Sequence, residues 1–236
     1  MKISVCIPMY NEKSVICENA YRLSEYMKAN FDDYELVFCS DGSTDGCAEA
    51  VKKLMLPEAQ VIEYFPNRGK GCAVRTAMLR ASGDLRIFTD ADLAYGTGVI
   101  GRLCSLYYEH PETDVIIGSR SHDGGYGEYT ALRTASSRVY AFMLKLLCGK
   151  GMHFSDSQCG LKAYSAKAAE EIFTRCMADN FAFDIETLLI ADRLGLSVAE
   201  LPVRVEKHGE SKVRLIRDAV TMLLEIPKIK RNVRRI

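Results

Sequence analysis

The sequence places its clearest chemical groups at Asp90 and Asp92, two carboxylates that follow residues 85–89, an apolar run typical of a buried strand. In an extended chain, residues two apart point to the same side, so both carboxylates would face one point beyond the strand. Open α/β sheets bind their ligands at that edge. Two carboxylates there suit Mg²⁺ or Mn²⁺ holding a diphosphate, although a pair of solvated turn residues is the simpler alternative.

A second group with possible chemistry is Gly-Lys-Gly at residues 69–71, just before a helical pattern. A helix N-terminus can bind phosphate, and Lys70 and Arg75 could donate to a nucleotide or simply form a solvated helix face. The segment also resembles a dinucleotide-binding fingerprint, since Asp90 follows about twenty residues later. That interpretation is disfavoured because Val74 replaces the third glycine and the loop belongs to the third strand–helix unit.

Residues 40–46, Ser-Asp-Gly-Ser-Thr-Asp-Gly, follow another apolar strand pattern. They resemble a calcium loop, but an EF-hand needs an acidic residue at loop position twelve, which here is Lys52. Two alternatives stay open for this segment. Ser43 or Thr44 could cap the next helix, and Asp41 could accept hydrogen bonds from the N–H groups of a nucleotide base.

The elements that must position these groups are strands alternating with helices, which predicts an α/β fold with a Rossmann-like, mainly parallel sheet flanked by helices. The predicted strands of the first half cover residues 2–8, 34–39, 61–65, 85–89 and 114–118. The second half is less regular. There we predict a loop at 121–129, a helix at 132–147, a turn and short strand at 156–164, helices near 166–177 and 184–194, and a strand at 198–205.

Length and composition narrow the class of protein. The chain has 236 residues, 48% of them hydrophobic, and a formal net charge of zero, which suits one large α/β domain or two small ones. No apolar run reaches the ~18 residues that span a bilayer, and the N-terminal residues fit a first strand better than a signal peptide. Nine scattered cysteines without a Cys-x-x-Cys pair argue against a zinc site or disulfide framework and favour a cytoplasmic location.

The charge is uneven, because residues 213–236 carry seven basic and two acidic side chains. We expect this segment to be basic and amphipathic, with an apolar face followed by a basic patch over residues 228–235. The apolar face would comprise Leu215, Ile216, Val220, Leu223 and Leu224. Such a segment favours peripheral binding to an anionic membrane surface; a solvated tail beside a core helix is the alternative. Nucleic-acid binding is disfavoured because no aromatic residues are interleaved with the basic ones.

Eight motifs in order resemble a family 2 glycosyltransferase of the GT-A fold, in the branch that glycosylates polyprenyl and dolichyl phosphates. The resemblance covers residues 2–213. The motifs lie at residues 8–12, 40–46, 67–75, 90–93, 118–120, 156–162, 183–186 and 209–212. It implies a glycosyltransferase domain over 1–212, with a nucleotide-sugar half (1–120) and an acceptor half (121–212), followed by the basic segment 213–236.

The resemblance also implies roles for single residues. The nucleotide sugar would be bound by Pro8, Tyr10, Glu12, Asp41, Lys70, Arg75, Asp90, Gln158 and Ser211. Asp90 and Asp92 would hold Mg²⁺ or Mn²⁺. The catalytic groups would be Asp92, Arg120, Arg133 and Lys212, with the two arginines facing the acceptor phosphate and Lys212 closing over the diphosphate.

The chain departs from the family's usual pattern at Ser40 and from the mannose-synthase pattern at Ala94 and Glu206. With the versions of the motifs at 69–75 and 156–160, these departures favour the glucose-synthase side and a UDP-sugar over GDP-mannose. The implied reaction is an inverting, metal-dependent transfer of a hexose to a polyprenyl phosphate on the cytoplasmic face of a membrane, as part of cell envelope biogenesis. A membrane-protein partner or a homo-oligomer stays open. The alternatives are a polysaccharide or diacylglycerol acceptor, a sugar-phosphate nucleotidyltransferase, or a non-catalytic binding module.

Overall fold

The computed structural model describes residues 1–121, 155–206 and 215–236, the side chains of 215–220 excepted. The predicted helix at 132–147 and all but the first residue of the predicted loop at 121–129 lie outside these ranges. The described strands form one sheet in the order β3-β2-β1-β4-β6-β5-β7. Their bounds are β1 Ile3–Met9, β2 Tyr34–Asp41, β3 Ala59–Tyr64, β4 Leu85–Thr89, β5 Val115–Ser119, β6 Leu161–Ser165 and β7 Val198–Pro202.

The prediction of a mainly parallel sheet is confirmed. The pairs β1–β2, β2–β3, β1–β4 and β5–β7 are parallel, whereas β6 runs antiparallel to both β4 and β5. Because β1, β2 and β4 are parallel neighbours, their carboxyl ends meet at one edge of the sheet. The segments that follow these three strands are residues 10–12, 42–46 and 90–93, which contain Tyr10 and Glu12 and the predicted metal-binding residues Asp90 and Asp92.

Helices cover both faces of the sheet. They are α1 Lys13–Asn30, α2 Cys47–Lys52, α3 Lys70–Arg80, α4 Gly98–Glu109, α5 Ala166–Phe173, α6 Phe183–Arg193 and α7 Leu215–Val233. Successive residues of β1 point to opposite faces of the sheet, each of which has its own hydrophobic core. Val5 and Ile7 belong to the core formed with α1, α2 and α4, and Cys6 belongs to the core formed with α3, α5, α6 and α7. The carboxyl edge is therefore supported by apolar packing on both faces.

Helix α5 ends at Phe173, four residues before the predicted end. The N–H groups of residues 174–176 still bond back to the helix, and from Met177 onward tertiary partners bind the backbone. The Glu186 carboxylate accepts the N–H groups of Met177 at 2.8 Å and Ala178 at 2.6 Å, and the Asp179 carbonyl accepts the N–H of Cys72. The loop over residues 174–182, which we call the bridging loop, is thereby fixed against α3 and α6.

The C-terminal helix α7 is part of the core. Met222, Ile226 and Ile229 are buried on one face at helical spacing. Of the predicted apolar face, Leu224 is 72% exposed, whereas Leu223 packs partly buried against the core. None of the helices in the described part of the chain is both long and apolar enough to cross a membrane.

Candidate active site

Asp90 and Asp92 lie in a turn that follows β4, so the prediction of extended geometry at these two residues was wrong. Strand β4 ends at Thr89, and the N–H of Leu93 donates to the Asp90 carbonyl at 3.1 Å while Leu93 adopts a φ of 49°. The two carboxylates nevertheless interact through their charges. Burial, and then the charge of Asp90, raise the pKa of Asp92 to about 6. Both side chains are partly buried, which excludes a pair of fully solvated turn residues.

Lys70 begins α3 and places its ammonium group 2.6 Å from the Asp90 carboxylate. Its Nζ also lies 5.3 Å from the ring centroid of Phe88 and 5.8 Å from that of Phe181. Burial lowers the pKa of Lys70, but the charges of Asp90 and Asp184 outweigh this effect and raise it. Lys70 is therefore a permanent cation directed at the aspartates, and the alternative of a solvated helix face is wrong for this residue.

Asp41, predicted to contact a base, holds the loop that starts α3. Its two oxygens accept four hydrogen bonds of 2.8 Å, from the Tyr64 hydroxyl, the Asn67 amide and the N–H groups of Arg68 and Gly69. A carboxylate has about four acceptor positions, so all are in use. Base recognition by Asp41 stays a prediction, and it would require one of these donors to be displaced.

The predicted helix cap by Ser43 or Thr44 was wrong. Asp45 accepts the N–H of Cys47 at 3.0 Å, while Ser43 and Thr44 bond to the backbone N–H and the side-chain oxygen of Asn11. These bonds hold the loop after β2 against the loop after β1. The Ser43 hydroxyl therefore accepts from the neighbouring loop and not from its own helix.

Pro8, Tyr10 and Glu12 lie at the end of β1 beside these loops. Pro8 is buried, Tyr10 is 45% exposed, and the Glu12 charge acts on Asp92. Their contacts with a nucleotide stay predictions. Arg133, Ser211 and Lys212 lie outside the described residues.

Arg75, predicted to flank a nucleotide, binds the bridging loop. Its guanidinium pairs with the Asp179 carboxylate and donates to the Cys176 carbonyl at 3.3 Å. The loop packs so closely on α3 that a Cβ at Gly71 would lie 2.5 Å from the Ala178 carbonyl. A nucleotide contact for Arg75 stays a prediction, alongside this structural role.

Arg120, predicted to face the acceptor phosphate, forms a buried ion pair with Asp156. Arg120 Nε and Nη2 lie 2.7 and 2.9 Å from the two Asp156 oxygens, and the Arg120 N–H donates to the same carboxylate at 3.1 Å. Asp156 also accepts the N–H of Gln158, whose side-chain nitrogen is buried without a hydrogen-bond partner in the described ranges. Ala94 and Glu206, two of the positions at which the chain departs from the family pattern, are bonded to each other. The N–H of Glu206 donates to the Ala94 carbonyl at 2.8 Å.

Sequence reasoning assigned no role to Lys162 and Asp184, which form a second buried ion pair. The Lys162 side chain is 0% exposed, and its Nζ contacts Asp184 Oδ1 and donates to the Cys159 carbonyl at 2.8 Å. Burial raises the pKa of Asp184, opposed by the charges of Lys162 and Lys70. A lysine in an apolar strand and an aspartate in an apolar helix were the signals that could have revealed this pair.

Among the described residues no three His, Cys, Asp or Glu side chains are grouped so as to hold a metal ion. The arrangement is instead a carboxylate pair beside a lysine, with further ion pairs behind it. Such a site can bind a divalent cation together with phosphate oxygens, which would complete the coordination.

Several known proteins are similar to this chain in sequence. The family model described as "Glycosyl transferase family 2" matches residues 4–173. Dolichyl-phosphate beta-glucosyltransferases are similar: that of Dictyostelium discoideum is 28% identical, covering 97% of this chain and 73% of the relative, and that of Drosophila melanogaster is 31% identical, covering 90% and 69%. Glycosyltransferase AglD of Haloferax volcanii is 30% identical over 94% of this chain, which spans 36% of AglD.

A solved structure gives the same architecture. Glucosyl-3-phosphoglycerate synthase from Mycobacterium tuberculosis, in complex with uridine diphosphate, superposes with a TM-score of 0.74. The match covers 97% of this chain and 79% of that one at 20% sequence identity, so it bears on the fold alone.

Proposed function

Because the chain belongs to glycosyl transferase family 2 and is a glycosyltransferase with the GT-A fold, we propose that it transfers glucose from UDP-glucose to a polyprenyl phosphate. The observation that carries this proposal is the grouping of Lys70, Asp90 and Asp92 at the carboxyl ends of the parallel strands. Similarity to dolichyl-phosphate beta-glucosyltransferases over nearly the whole chain supports the lipid phosphate as acceptor and favours glucose over mannose.

The Asp90–Asp92 pair fits Mg²⁺ or Mn²⁺, because two carboxylates of like charge lie together and partly buried. Waters and the donor's diphosphate would supply the other ligands. When bound, the cation would offset the negative charge that develops on the leaving diphosphate. The Lys70 ammonium, already beside Asp90, would contribute a second positive charge to the same oxygens.

The acceptor needs no general base from the protein. A phosphate monoester has a second pKa of about 6, so near neutral pH it is largely dianionic and can attack the anomeric carbon directly. A single displacement of this kind inverts the anomeric configuration. The protein must bring two anions together, the acceptor phosphate and the donor diphosphate. We assign Arg120 and Arg133 to bind the acceptor phosphate and Lys212 to bind the diphosphate. Since Asp156 already balances Arg120, the net positive charge at the acceptor would come mainly from Arg133.

Gln158 is our candidate for a contact to the sugar. Its side-chain nitrogen is buried and finds no acceptor in the part of the chain that the structure covers. A buried donor left unpaired costs about 1–3 kcal/mol, so a hydroxyl of the bound sugar that accepted from it would recover this free energy.

The proposal is tested by incubating the protein with UDP-glucose or GDP-mannose and a short polyprenyl phosphate, with mass spectrometry of the products. We expect a glucosylated lipid phosphate and UDP, and a β-linked product by NMR. Asp92→Ala should abolish transfer without unfolding the protein, while Asp84→Ala, at the opposite end of β4, should retain it. Pyrophosphate as product would instead identify a nucleotidyltransferase, and no turnover of any donor would identify a binding module.

We further propose that the protein works at an anionic membrane surface through α7. The exposed residues of α7 include Leu224, Lys228 and Arg231, and exposed Arg234 and Arg235 follow directly after it. Each basic residue near an anionic leaflet contributes about 1 kcal/mol. Removing the end of α7 would also remove Ile229 from the core, so the test is substitution. Replacing the four exposed basic residues by serine should abolish co-sedimentation with phosphatidylserine vesicles while retaining the fold, and unchanged co-sedimentation would exclude this face.

A further inference from the structure

The Lys162–Asp184 ion pair lies directly beneath the candidate active site. Lys162 is paired across the sheet with Phe88 of β4, so both side chains point to the same face. The Phe88 ring packs edge-on against Phe183 at 5.7 Å, and Phe183 immediately precedes Asp184. The Lys70 ammonium lies over the same Phe88 ring. Lys162, Lys70 and Phe183, the residue before Asp184, therefore all lie beside the Phe88 side chain.

These contacts produce an alternating series of charges from the core to the edge of the sheet. Lys162 contacts Asp184, the charge of Asp184 acts on Lys70, and Lys70 contacts Asp90. Lys70 consequently interacts with two carboxylates, with Asp90 by direct contact and with buried Asp184 through its charge. Because Lys162 already engages Asp184, the Lys70 ammonium rests on Asp90, where it offsets the charge that a divalent cation would use.

We infer that Lys162 and Asp184 are positioning residues that set how firmly Lys70 holds Asp90, and thereby set the affinity of the Asp90–Asp92 pair for a divalent cation. The inference rests on the proposed function, in which these two aspartates hold Mg²⁺ or Mn²⁺. When a cation binds at Asp90, Asp184 is the counter-ion that Lys70 retains. A buried ion pair with a merely structural role would not control the site in this way.

The two halves of the pair should have opposite effects on cation binding. Asp184→Asn removes the alternative partner of Lys70 and a negative charge near the site, so Mn²⁺ should bind more weakly. Lys162→Met frees Asp184 for Lys70 and removes a positive charge, so Mn²⁺ should bind more tightly. We expect about a fivefold change or more in each direction, because electrostatic interactions are strong at the low effective dielectric of a partly buried site.

The measurement is a titration of the full-length protein with Mn²⁺, in which the electron paramagnetic resonance signal of free Mn²⁺ reports binding, with and without UDP and against a protein-free blank. Glu35→Gln is the matched control. Glu35 is also a partly buried carboxylate with several hydrogen bonds, but it lies near the amino end of β2, about 20 Å from the site. It should leave Mn²⁺ affinity unchanged.

Loss of one charge of a buried pair can prevent folding, so circular dichroism accompanies each titration. Where Lys162→Met does not fold, the double variant Lys162→Met/Asp184→Asn removes both charges. Its Mn²⁺ affinity should fall between those of Asp184→Asn and the wild type, because Lys70 still loses its second counter-ion while one positive charge is also gone.

The outcomes separate this inference from the proposed function. Opposite shifts in the two single variants, or the intermediate affinity of the double variant, support it. Wild-type binding with shifts of the same sign, or with no shift, overturns the inference and leaves the proposed function standing. A wild-type protein that binds no Mn²⁺ under either condition removes the cation from the proposed function, and this inference with it.

Discussion

Removal of the Arg120 side chain should weaken the fold before it affects any acceptor. Arg120→Ala deletes two hydrogen bonds of 2.7 and 2.9 Å and leaves the Asp156 carboxylate buried without its cation. The remaining bonds to Asp156 in the described structure come from the N–H groups of residues 120 and 158. Backbone donors of this kind do not replace a full positive charge in a buried site.

The expected cost follows from the burial of the pair. Breaking a buried ion pair by removing one partner typically costs about 3–5 kcal/mol. For a chain of this size each kcal/mol shifts Tm by about 2–4 °C, so Arg120→Ala should lower Tm by about 6–20 °C. The pair Arg175–Glu171 supplies the comparison, because it is half-exposed and spaced i, i+4 on the surface. Glu171→Gln should cost about 0.5 kcal/mol or less.

The effect should also depend on pH. Burial raises the pKa of Asp156, but its hydrogen bonds and ion pair with Arg120 outweigh burial and lower it. A carboxylate with a lowered folded-state pKa stabilises the fold above its unfolded pKa, and that stability is lost as pH falls through the folded pKa. The difference between wild type and Arg120→Ala should therefore be largest near neutral pH and smallest once pH falls below the lowered folded-state pKa, which lies under the ordinary aspartate pKa of about 4.

The assay is urea unfolding followed by circular dichroism at pH 7 and pH 3, with the transfer assay on the pH 7 samples below the transition. A loss of less than about 1 kcal/mol, no larger than that of a surface pair, would refute the reasoning. If Arg120→Ala were as stable as the wild type but lost only the use of the lipid phosphate, Arg120 would belong to the acceptor site alone.

Two further predictions concern the start of α3. Asp41→Asn replaces a carboxylate that accepts four hydrogen bonds, so it should lower the free energy of unfolding by about 1–3 kcal/mol and weaken UDP binding measured by calorimetry. Tyr64→Phe removes only one of these donors and should lower the free energy of unfolding by less. Gly71→Ala places a Cβ 2.5 Å from the Ala178 carbonyl and should lower Tm and donor affinity together; Gly98→Ala, with open space around it in α4, should raise Tm slightly. Equal effects of the two alanine substitutions would contradict the packing described.

Much of the fold followed from local patterns, because strands alternating with helices leave few topologies for a parallel sheet. The position of the antiparallel strand β6 could not be predicted from local patterns, because its place between β4 and β5 depends on contacts distant in sequence. The resemblance of ordered motifs to the family was confirmed by the family model and the relatives.

The site was predictable at the level of residue types, but the geometry was not. Asp90 and Asp92 were correctly placed at the carboxyl edge, yet the turn that holds them depends on a positive φ at Leu93 that no periodicity indicates. Lys162 was missed because a lysine between Leu161 and Ala163 suggests a solvent-facing position on an alternating strand. In a sheet with helices on both faces, that position is buried as well.

The bridging loop connects the candidate active site to α7, the helix proposed to bind the membrane. On one side it packs on the start of α3; on the other, the Asn180 side chain donates to Glu225 of α7, and Asn232 of α7 donates to the Arg175 carbonyl, each at 2.9 Å. A protein resting on lipid through α7 would consequently have a single tilt. The height of Asp90 and Asp92 above the headgroups would then be set by the fold itself, and shortening or loosening this loop would change the reach of the enzyme toward its acceptor without altering one catalytic atom.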